Sequence, residues 1–259
     1  MLLTIDCGNT NTVFAVFSEK GEILGQWRAS TRNGRTTDEL GIWLKHIMLQ
    51  DKIEPIIISS AIIASVVPDN ITTLVNLCSD YFGVKALVVG DSSVPIGIST
   101  LIDNPSEVGA DRICNAVAGH NKYGGPLLVV DFGTATTFDV IDSKGNYCGG
   151  TIFPGINLSL DALHKGAAQL PRVGIKKTEA IIGRNTVSAM ASGIFWGHVS
   201  MIEGMIERIQ EEFGEEMEVI ATGGIGKLFY ETCKNIDGYD ENLTIFGLYL
   251  IFSNINLDR

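Results

Sequence analysis

Two short segments with the same polar residues follow apolar runs in this sequence, and both could bind a phosphorylated ligand. The first is IDCGNTNT at residues 5–12, and the second is VDFGTATT at residues 130–137. In each, a Gly lies two residues after an Asp, and side chains with hydroxyl or amide groups follow. The N–H groups of a tight turn bind anions, and Gly lets a ligand approach without a Cβ in the way. Because carboxylates repel phosphate, Asp6 and Asp131 indicate a cation, either Mg²⁺ held through water or a monovalent ion.

The two segments belong to a longer internal repeat. Residues 2–14 and 127–139 align without a gap, and the offset from Asp6 to Asp131 is 125 residues. A second match, SEKGEILGQW against DSKGNYCGGT, requires a slip of one residue. Each half of the chain is therefore predicted to begin with a strand, a phosphate-sized turn, a second strand, a Lys-Gly hairpin and a third strand. A single Asp-x-Gly turn would be an ordinary hairpin, and the duplication is what favours a functional interpretation.

Hydrophobic periodicity predicts helices between these strands. The predicted elements after the first three strands are a helix over 36–48, a strand near 62–67, a helix over 68–82, a strand at KALVVG, a helix over 104–123, a loop-rich stretch over 153–183, a long helix ending near Phe213, a strand at EVIAT, a turn at GGIGK and a terminal helix from about Thr244. Gly124-Gly125-Pro126 marks the expected junction. The sequence thus predicts an α/β fold with two similar domains, 1–123 and 124–259, and a cleft between them across which the two turns face each other.

Composition excludes several classes of function. The chain has 259 residues, 45% of them hydrophobic, which indicates a well-packed globular protein. Its formal net charge of −11 argues against nucleic acid or an anionic membrane as a partner. Neither a signal peptide nor a transmembrane span is visible in the sequence. The five cysteines are widely spaced and lack a CxxC pair, so a disulfide framework or zinc site is not expected, and a reducing cytoplasm is the predicted location.

Known phosphate-binding motifs do not describe the two turns. The chain contains no GxxxxGK[ST] sequence, so neither turn is a P-loop. TGGIGKL at residues 222–228 is the nearest approach, but its glycine spacing is wrong and no hydroxyl follows Lys227. It is not GxGxxG either, which leaves little support for a dinucleotide fold. For this segment, close backbone approach to an adenosine and a plain strand-to-helix turn are equally good interpretations.

With motifs elsewhere in the chain, the paired turns resemble the type III pantothenate kinases of the acetate and sugar kinase/actin superfamily, whose domains are ribonuclease H-like (actin-like ATPase) domains. The matching motifs, besides the two turns, are WRASTRNGRTTDE, ASVVP, NPSEVGADR, FPG, AAQLP, IGRNTVSAMASG, ATGG and LTIFGL. Several are weak individually, but their order and spacing are specific and span most of the chain. One departure is Ile102, because many members have a substrate-contacting Tyr at that position.

The resemblance implies transfer of the γ-phosphoryl group of ATP to the 4′-hydroxyl of pantothenate, with Mg²⁺, a monovalent cation (K⁺ or NH₄⁺) and a homodimer. It implies that Asp111 is the proton acceptor, that Asp131 holds the monovalent cation and that Thr186 reaches the substrate, in its own subunit or the neighbouring one. The implied ATP contacts are Asp6, Cys7, Gly8, Asn9, Thr10, Asn11, Thr12, Val13 and Thr134. The implied pantothenate contacts are Gly109, Ala110, Asp111, Arg112 and Thr186, and Arg112 could pair with the pantothenate carboxylate.

Other interpretations of these residues stay open at this point. Asp111 and Arg112 could be a solvated pair on a helix surface, and Thr186 could lie at a helix cap. A non-catalytic, actin-like nucleotide-binding protein with a regulatory or accessory role is the alternative function. A sugar or small-acid kinase of the same superfamily would share the two turns but not the GADR motif.

Overall fold

Paired strands hold both Asp-Gly turns, as the repeat predicts. The protein is described by a computed structural model that covers residues 1–31, 34–166, 171 and 173–257; most of the AAQLP motif therefore lies outside the described residues. In chain order the elements are β1 (Leu2–Cys7), β2 (Asn11–Phe17), β3 (Ile23–Ser30), α1 (Thr37–Gln50), β4 (Ser60–Ser65), α2 (Pro68–Phe82), β5 (Ala86–Val88), α3 (Ala110–Tyr123), β6 (Leu127–Phe132), β7 (Ala135–Ile141), β8 (Tyr147–Pro154), α4 (Ile156–Gly166), α5 (Thr186–Phe213), β9 (Glu218–Thr222), α6 (Gly226–Tyr230), β10 (Gly238–Tyr239) and α7 (Leu243–Leu257).

Two mixed sheets with the same topology follow from this order. The first is ordered β3-β2-β1-β4-β5, and the second is ordered β10-β9-β6-β7-β8. In each, the first three strands form an antiparallel meander, and the later strands run parallel to the first strand. The predicted α/β class with two similar halves is therefore confirmed.

The one-residue slip between the repeats has a structural cause in the Asp-Gly turn. The last β1–β2 pair, Cys7 with Thr12, encloses four residues, whereas the last β6–β7 pair, Phe132 with Thr136, encloses three. Elements after the turn are consequently offset by 124 residues instead of 125. The register shift between the second and third strands shows the same 124-residue offset, since it falls at Val16/Phe17 in one half and at Val140/Ile141 in the other.

The chain divides into two compact units that differ slightly from the predicted halves. Residues Met1–Ala118 and the C-terminal segment from Asn242 form the first unit, and Gly119–Glu241 form the second. Helix α7 therefore packs with the N-terminal sheet, next to β1 and β4. The domain boundary at 123/124 stays a prediction, because the described packing units are not a test of independent folding.

Each sheet has apolar side chains that helices cover. On one face of the first sheet, Leu3 and Ile5 pack with Leu44 and Met48 of α1 and with residues of α2. Helices α3 and α7 cover its other face with Ile113, Val117, Leu248 and Ile251. In the second sheet, Leu128 and Val130 pack against Phe195, Ile202 and Ile206 of α5 and Phe229 of α6. Among the described residues, no helix is both long and apolar enough to span a bilayer.

Local signals account for most helix boundaries. Thr36 and Glu39 form a capping box at the start of α1, and α2 begins at Pro68 and ends before Gly83, whose φ is 68°. Two predicted boundaries were wrong. Strand β4 ends at Ser65 because the chain turns there into α2. The helix predicted to start at Pro105 or Ser106 begins only at Ala110, because Pro105–Glu107 form a separate 3₁₀ turn.

The stretch predicted as loop-rich contains helix α4. Its apolar residues Ile156, Leu160 and Leu163 recur at a spacing of four and three, which is the helical pattern. Pro154 ends β8, and α4 begins two residues later at Ile156.

Candidate active site

The first Asp-Gly turn has exposed residues at its tip and a fixed backbone beneath it. Asp6 is the half-buried penultimate residue of β1, and the N–H of Gly8 donates to the carbonyl of Asn11 at 3.0 Å. Asn9 and Thr10, at the tip, are exposed. The N–H of Thr31, just after β3, donates to the carbonyl of Thr10 at 2.8 Å. The third strand of the meander therefore supports the tip from behind.

The second turn repeats this arrangement in the second unit. Asp131 is half-buried, and Gly133 and Thr134 are exposed. The N–H of Gly133 donates to the carbonyl of Ala135 at 3.0 Å, and the N–H of Gly155, just after β8, donates to the carbonyl of Thr134 at 3.0 Å. Gly155 and Thr134 are each 124 residues beyond Thr31 and Thr10. The duplication thus extends to the hydrogen bond that supports each turn.

Gly8 and Gly133 are not required by packing within their own units. A Cβ on Gly8 would lie 3.3 Å from the carbonyl oxygen of Asn11, and one on Gly133 would lie 3.4 Å from that of Ala135. Neither has the left-handed φ that favours glycine. An Ala would fit at residue 133 without a clash, and at residue 8 with a slightly tight contact. The missing Cβ therefore leaves room at the surface, where a ligand could approach the backbone. The turns therefore fit a phosphate group.

Other glycines near the second turn are required by the fold. A Cβ on Gly155 would overlap the carbonyl oxygen of Thr134 and lie 2.7 Å from that of Gly133. Gly223, the first glycine of the TGG segment, has a φ of 89°, and its Cβ would lie 2.6 Å from Oδ1 of Asp131. The TGG segment therefore lies directly against the second acidic turn.

Asp111 lies in the first turn of α3, in the first unit. Its Oδ1 accepts a hydrogen bond of 2.8 Å from the N–H of Arg112. Burial raises the pKa of Asp111 above its ordinary value, while the N–H and the charge of Arg112 oppose that rise. A carboxyl group with a raised pKa is a better proton acceptor near neutral pH than an exposed aspartate. Asp111 is thus suited to the role of a general base.

Gly109 gives Asp111 the space that it occupies. A Cβ at residue 109 would lie 2.6 Å from Oδ1 of Asp111, so a larger residue would displace the carboxylate. Ala110 is buried, and Arg112 is half-buried. Ile102 is also half-buried. Residues 109–112 therefore form a continuous strip around the carboxylate of Asp111.

Three residues predicted to bind ATP have buried side chains. Cys7 is 1% exposed, Thr12 is 5% exposed and Val13 is 9% exposed. The hydroxyl of Thr12 is hydrogen bonded to that of Thr31 at 2.8 Å and lies 3.5 Å from the Cys7 sulfur. Any contact of these residues with ATP would have to use the backbone, whereas Asn9, Thr10, Asn11 and Thr134 have exposed side chains.

Thr186 is the exposed first residue of α5 in the second unit. The helix cap is Asn185, whose side chain accepts a hydrogen bond from the N–H of Ser188 at 2.9 Å. Thr186 is therefore not needed as the cap and can contact a ligand. The prediction that the two turns face each other across a cleft stays a prediction.

The described residues contain no group of three or more His, Cys, Asp and Glu that could hold a metal ion by themselves. Where Mg²⁺ binds together with a phosphate, one or two carboxylates, water and phosphate oxygens are its usual ligands. Asp6 and Asp131 are the carboxylates beside the two turns. They could hold cations together with phosphate oxygens.

Sequence reasoning missed the structural roles of Thr31 and Gly155. Both lie in motifs that support the resemblance, but neither was assigned a task. The signal that could have found them is the 124-residue offset after the turn, which places Thr31 and Gly155 at equivalent positions.

Comparison with known proteins supports one family. The model of the type III pantothenate kinase family matches residues 2–208. A type III pantothenate kinase of Paramagnetospirillum magneticum is 58% identical over 249 residues, covering 96% of this chain and 95% of that protein. One from Rhodospirillum rubrum is 53% identical over 251 residues, covering 97% of each. Among solved structures, an activator of 2-hydroxyisocaproyl-CoA dehydratase from Clostridium difficile with bound ADPNP has a TM-score of 0.56 at 12% identity, covering 99% of this chain and 96% of that one, so its likeness concerns the fold alone.

Proposed function

The chain belongs to the type III pantothenate kinase family, and we propose that its two Asp-Gly turns and Asp111 carry out that family's reaction. The reaction transfers the γ-phosphoryl group of ATP to the 4′-hydroxyl of pantothenate, the first committed step toward coenzyme A. The single observation that supports these roles best is that Gly8 and Gly133 leave unused space above two identically supported turns.

The turns bind the phosphates of ATP through backbone N–H groups and the exposed side chains of Asn9, Thr10, Asn11 and Thr134. Such groups are already oriented before the reaction, so they stabilise developing charge without reorganisation. Phosphoryl transfer has a loose transition state in which positioning and charge stabilisation dominate, so rigidly supported turns suit it. Mg²⁺, when bound, neutralises the phosphate charge.

Asp111 accepts the proton of the attacking hydroxyl and orients it. Its raised pKa and its place in the Gly109–Arg112 strip support this role. Arg112 pairs with the carboxylate of pantothenate, and Thr186 contacts the substrate from its own subunit or the neighbouring one. Asp131, beside Gly223, holds the monovalent cation, K⁺ or NH₄⁺, and Asp6 holds Mg²⁺ through water.

A homodimer is supported by exposed apolar side chains on β8, on α4 and in the segment that leads into α5. The exposed apolar side chains there are Ile152, Phe153, Leu158, Leu163, Ile181, Ile182 and Val187. At the equivalent edge of the first unit, the residue corresponding to Ile152 is Arg28, which is exposed and polar. The equivalent strand β3 also has exposed Ile23 and Leu24, so the difference concerns position 152 and the exposed apolar residues of α4 and the start of α5. A second copy of this chain is the occupant that we propose for this surface. The setting that we propose is the reducing cytoplasm, since all five cysteines are free.

A coupled assay for ADP release tests the reaction, with and without pantothenate and with K⁺, NH₄⁺ or neither. We expect ADP release that depends on pantothenate and rises with the monovalent cation. ATP binding without pantothenate-dependent ADP under every cation condition would contradict the kinase role and favour the regulatory alternative.

For the dimer, Ile182→Glu should yield monomers in light-scattering measurements, while Ile56→Glu, at an 88% exposed site in the first unit, should not.

A further inference from the structure

A small cavity in the first unit lies on the α1 and α2 side of the sheet and includes a residue of the first turn. The centre of a water-sized sphere can move within about 10 Å³ of this cavity, which gives room for one water-sized group. The lining residues are Thr12, Ser30, Thr31, Arg35, Leu40, Asn70, Thr73 and Leu74. Six of these are polar, one is cationic and none is acidic. In a chain with a net charge of −11, such a lining is a local exception.

The polar groups around this cavity can donate more hydrogen bonds than the protein uses. The hydroxyls of Thr12 and Thr31 bond to each other. Within the described residues, the side chain of Asn70 makes one long contact, of 3.8 Å, with the Cys7 sulfur. The side chains of Ser30, Arg35 and Thr73 have no hydrogen-bond or ion-pair partner in the part of the chain that the structure describes. An occupant that accepts several hydrogen bonds, and is negatively charged opposite the guanidinium, would satisfy them.

Two helices begin beside this cavity. Arg35 comes directly before Thr36, the N-cap of α1, and Asn70 lies in the first turn of α2. The hydroxyl of Thr37 donates to the carbonyl of Thr73, which ties the start of α1 to α2. The N-cap of α2 makes no side-chain hydrogen bond to its first turn. Because Asp38 and Glu39 lie in the first turn of α1 and Asp69 lies in that of α2, the positive charge beside the cavity is that of Arg35.

We propose that this cavity is a subsite for one oxygen of a phosphate-like oxyanion, with the remainder of the anion at its mouth. Thr31 connects the subsite to the first turn, because its N–H donates to the carbonyl of Thr10 and its hydroxyl bonds to Thr12. An anion held there would fix the support of the phosphate-binding tip. The oxyanion has two sources, a phosphate group of the nucleotide at the turn or free inorganic phosphate.

Binding of inorganic phosphate by the full-length protein, measured by calorimetry, is the first test. Arg35→Gln should weaken binding by about tenfold to a hundredfold, as expected for loss of a charge-assisted hydrogen bond. Arg28→Gln, an exposed arginine on β3 outside the cavity, is the matched control and should leave binding unchanged. Arg35→Lys keeps the charge and should retain part of the affinity, and an unchanged melting temperature for each variant separates lost binding from lost folding.

Crystals soaked in selenate, a tetrahedral anion located by its anomalous signal, test the position. A selenium peak within hydrogen-bond distance of Arg35 and Thr73 that an ATP analogue leaves in place assigns the subsite to free anion. A peak that the analogue replaces with one of its own phosphate oxygens assigns it to the nucleotide. The proposal is overturned if neither selenate nor the analogue places an oxygen there, or if Arg35→Gln and Arg28→Gln weaken phosphate binding equally. Because the readout is anion binding, failure of the kinase assay would leave this result unaffected.

Discussion

Replacing Gly133 by Ala separates what the ligand needs from what the fold needs. The added Cβ would lie 3.4 Å from the carbonyl oxygen of Ala135, which is an ordinary contact, and residue 133 does not have a left-handed φ. The variant should therefore fold normally and could gain about 0.4–1 kcal/mol, because Ala restricts the unfolded chain. Toward ATP the expectation is opposite. The Cβ occupies the space above the turn and would keep a phosphate from at least one backbone N–H. Loss of one charge-assisted hydrogen bond corresponds to about 1.5–3 kcal/mol, or roughly a tenfold to hundredfold rise in the KM for ATP.

Two measurements on the same preparation test this prediction. Thermal unfolding should show a melting temperature equal to that of the wild type or up to about 4 °C higher, while steady-state kinetics at saturating pantothenate should show the weakened use of ATP. Gly174→Ala is the matched control, because its Cβ would meet no described atom within 4 Å. An unchanged KM and kcat in Gly133→Ala would remove the second turn from the phosphate site. A large loss of stability would show instead that the glycine serves the fold.

Three further predictions follow from individual contacts. Gly155→Ala should lower stability by about 1–3 kcal/mol and kcat by about a hundredfold, because the added Cβ would displace the carbonyls of the second turn. Unchanged kinetics would contradict the role of Gly155 in supporting that turn. Asp111→Asn should lower kcat by about a hundredfold or more while ATP binding, measured by calorimetry, persists. The same substitution should raise stability at pH 7, because the raised pKa of Asp111 means that its ionisation destabilises the folded state. The stability difference between Asp111→Asn and the wild type should shrink as pH falls from that raised pKa toward the ordinary value of 3.8. A stability difference that stays constant in chemical denaturation across this pH range would contradict the reasoning. Leu44→Ala, in the fully buried core beneath the first sheet, should cost about 2–5 kcal/mol in unfolding free energy without changing the KM for ATP.

The fold could be predicted well where the sequence repeats or where local signals are strong. The two meanders followed from the aligned Asp-Gly segments, and α2 was predicted to the residue because Pro68 and Gly83 flank it. The main error concerned the start of α3. Pro105 suggested a helix start, but a separate 3₁₀ turn and Gly109 intervene before α3 begins. That shift matters for function, because it places Asp111 in the first turn of the helix.

The candidate site could be predicted only as a set of residue types. The sequence indicated that Gly8 and Gly133 allow close approach, but only coordinates show that a Cβ fits there, while one at Gly155 or Gly223 does not. It also grouped Thr12 with the phosphate ligands, although pairing with β1 and β3 buries its side chain. Whether a side chain in a polar run faces the ligand or the sheet interior depends on strand register, which the sequence shows only indirectly.

The two halves share one fold but differ at several equivalent positions. Both units keep the turn, its glycine and the hydrogen bond that supports the tip from the residue after the third strand. Beyond that residue they diverge, since the first chain segment leads to Arg35 and the start of α1, whereas Gly155 leads directly into α4. The edge strands diverge in the same way, with exposed Arg28 in one and exposed Ile152 in the other. The features common to both copies are those that the proposed phosphate-binding turns would use. An anion subsite or a dimer contact is therefore expected at features that only one copy has. Exchanging Arg28 and Ile152 should accordingly weaken dimerisation without changing the KM for ATP.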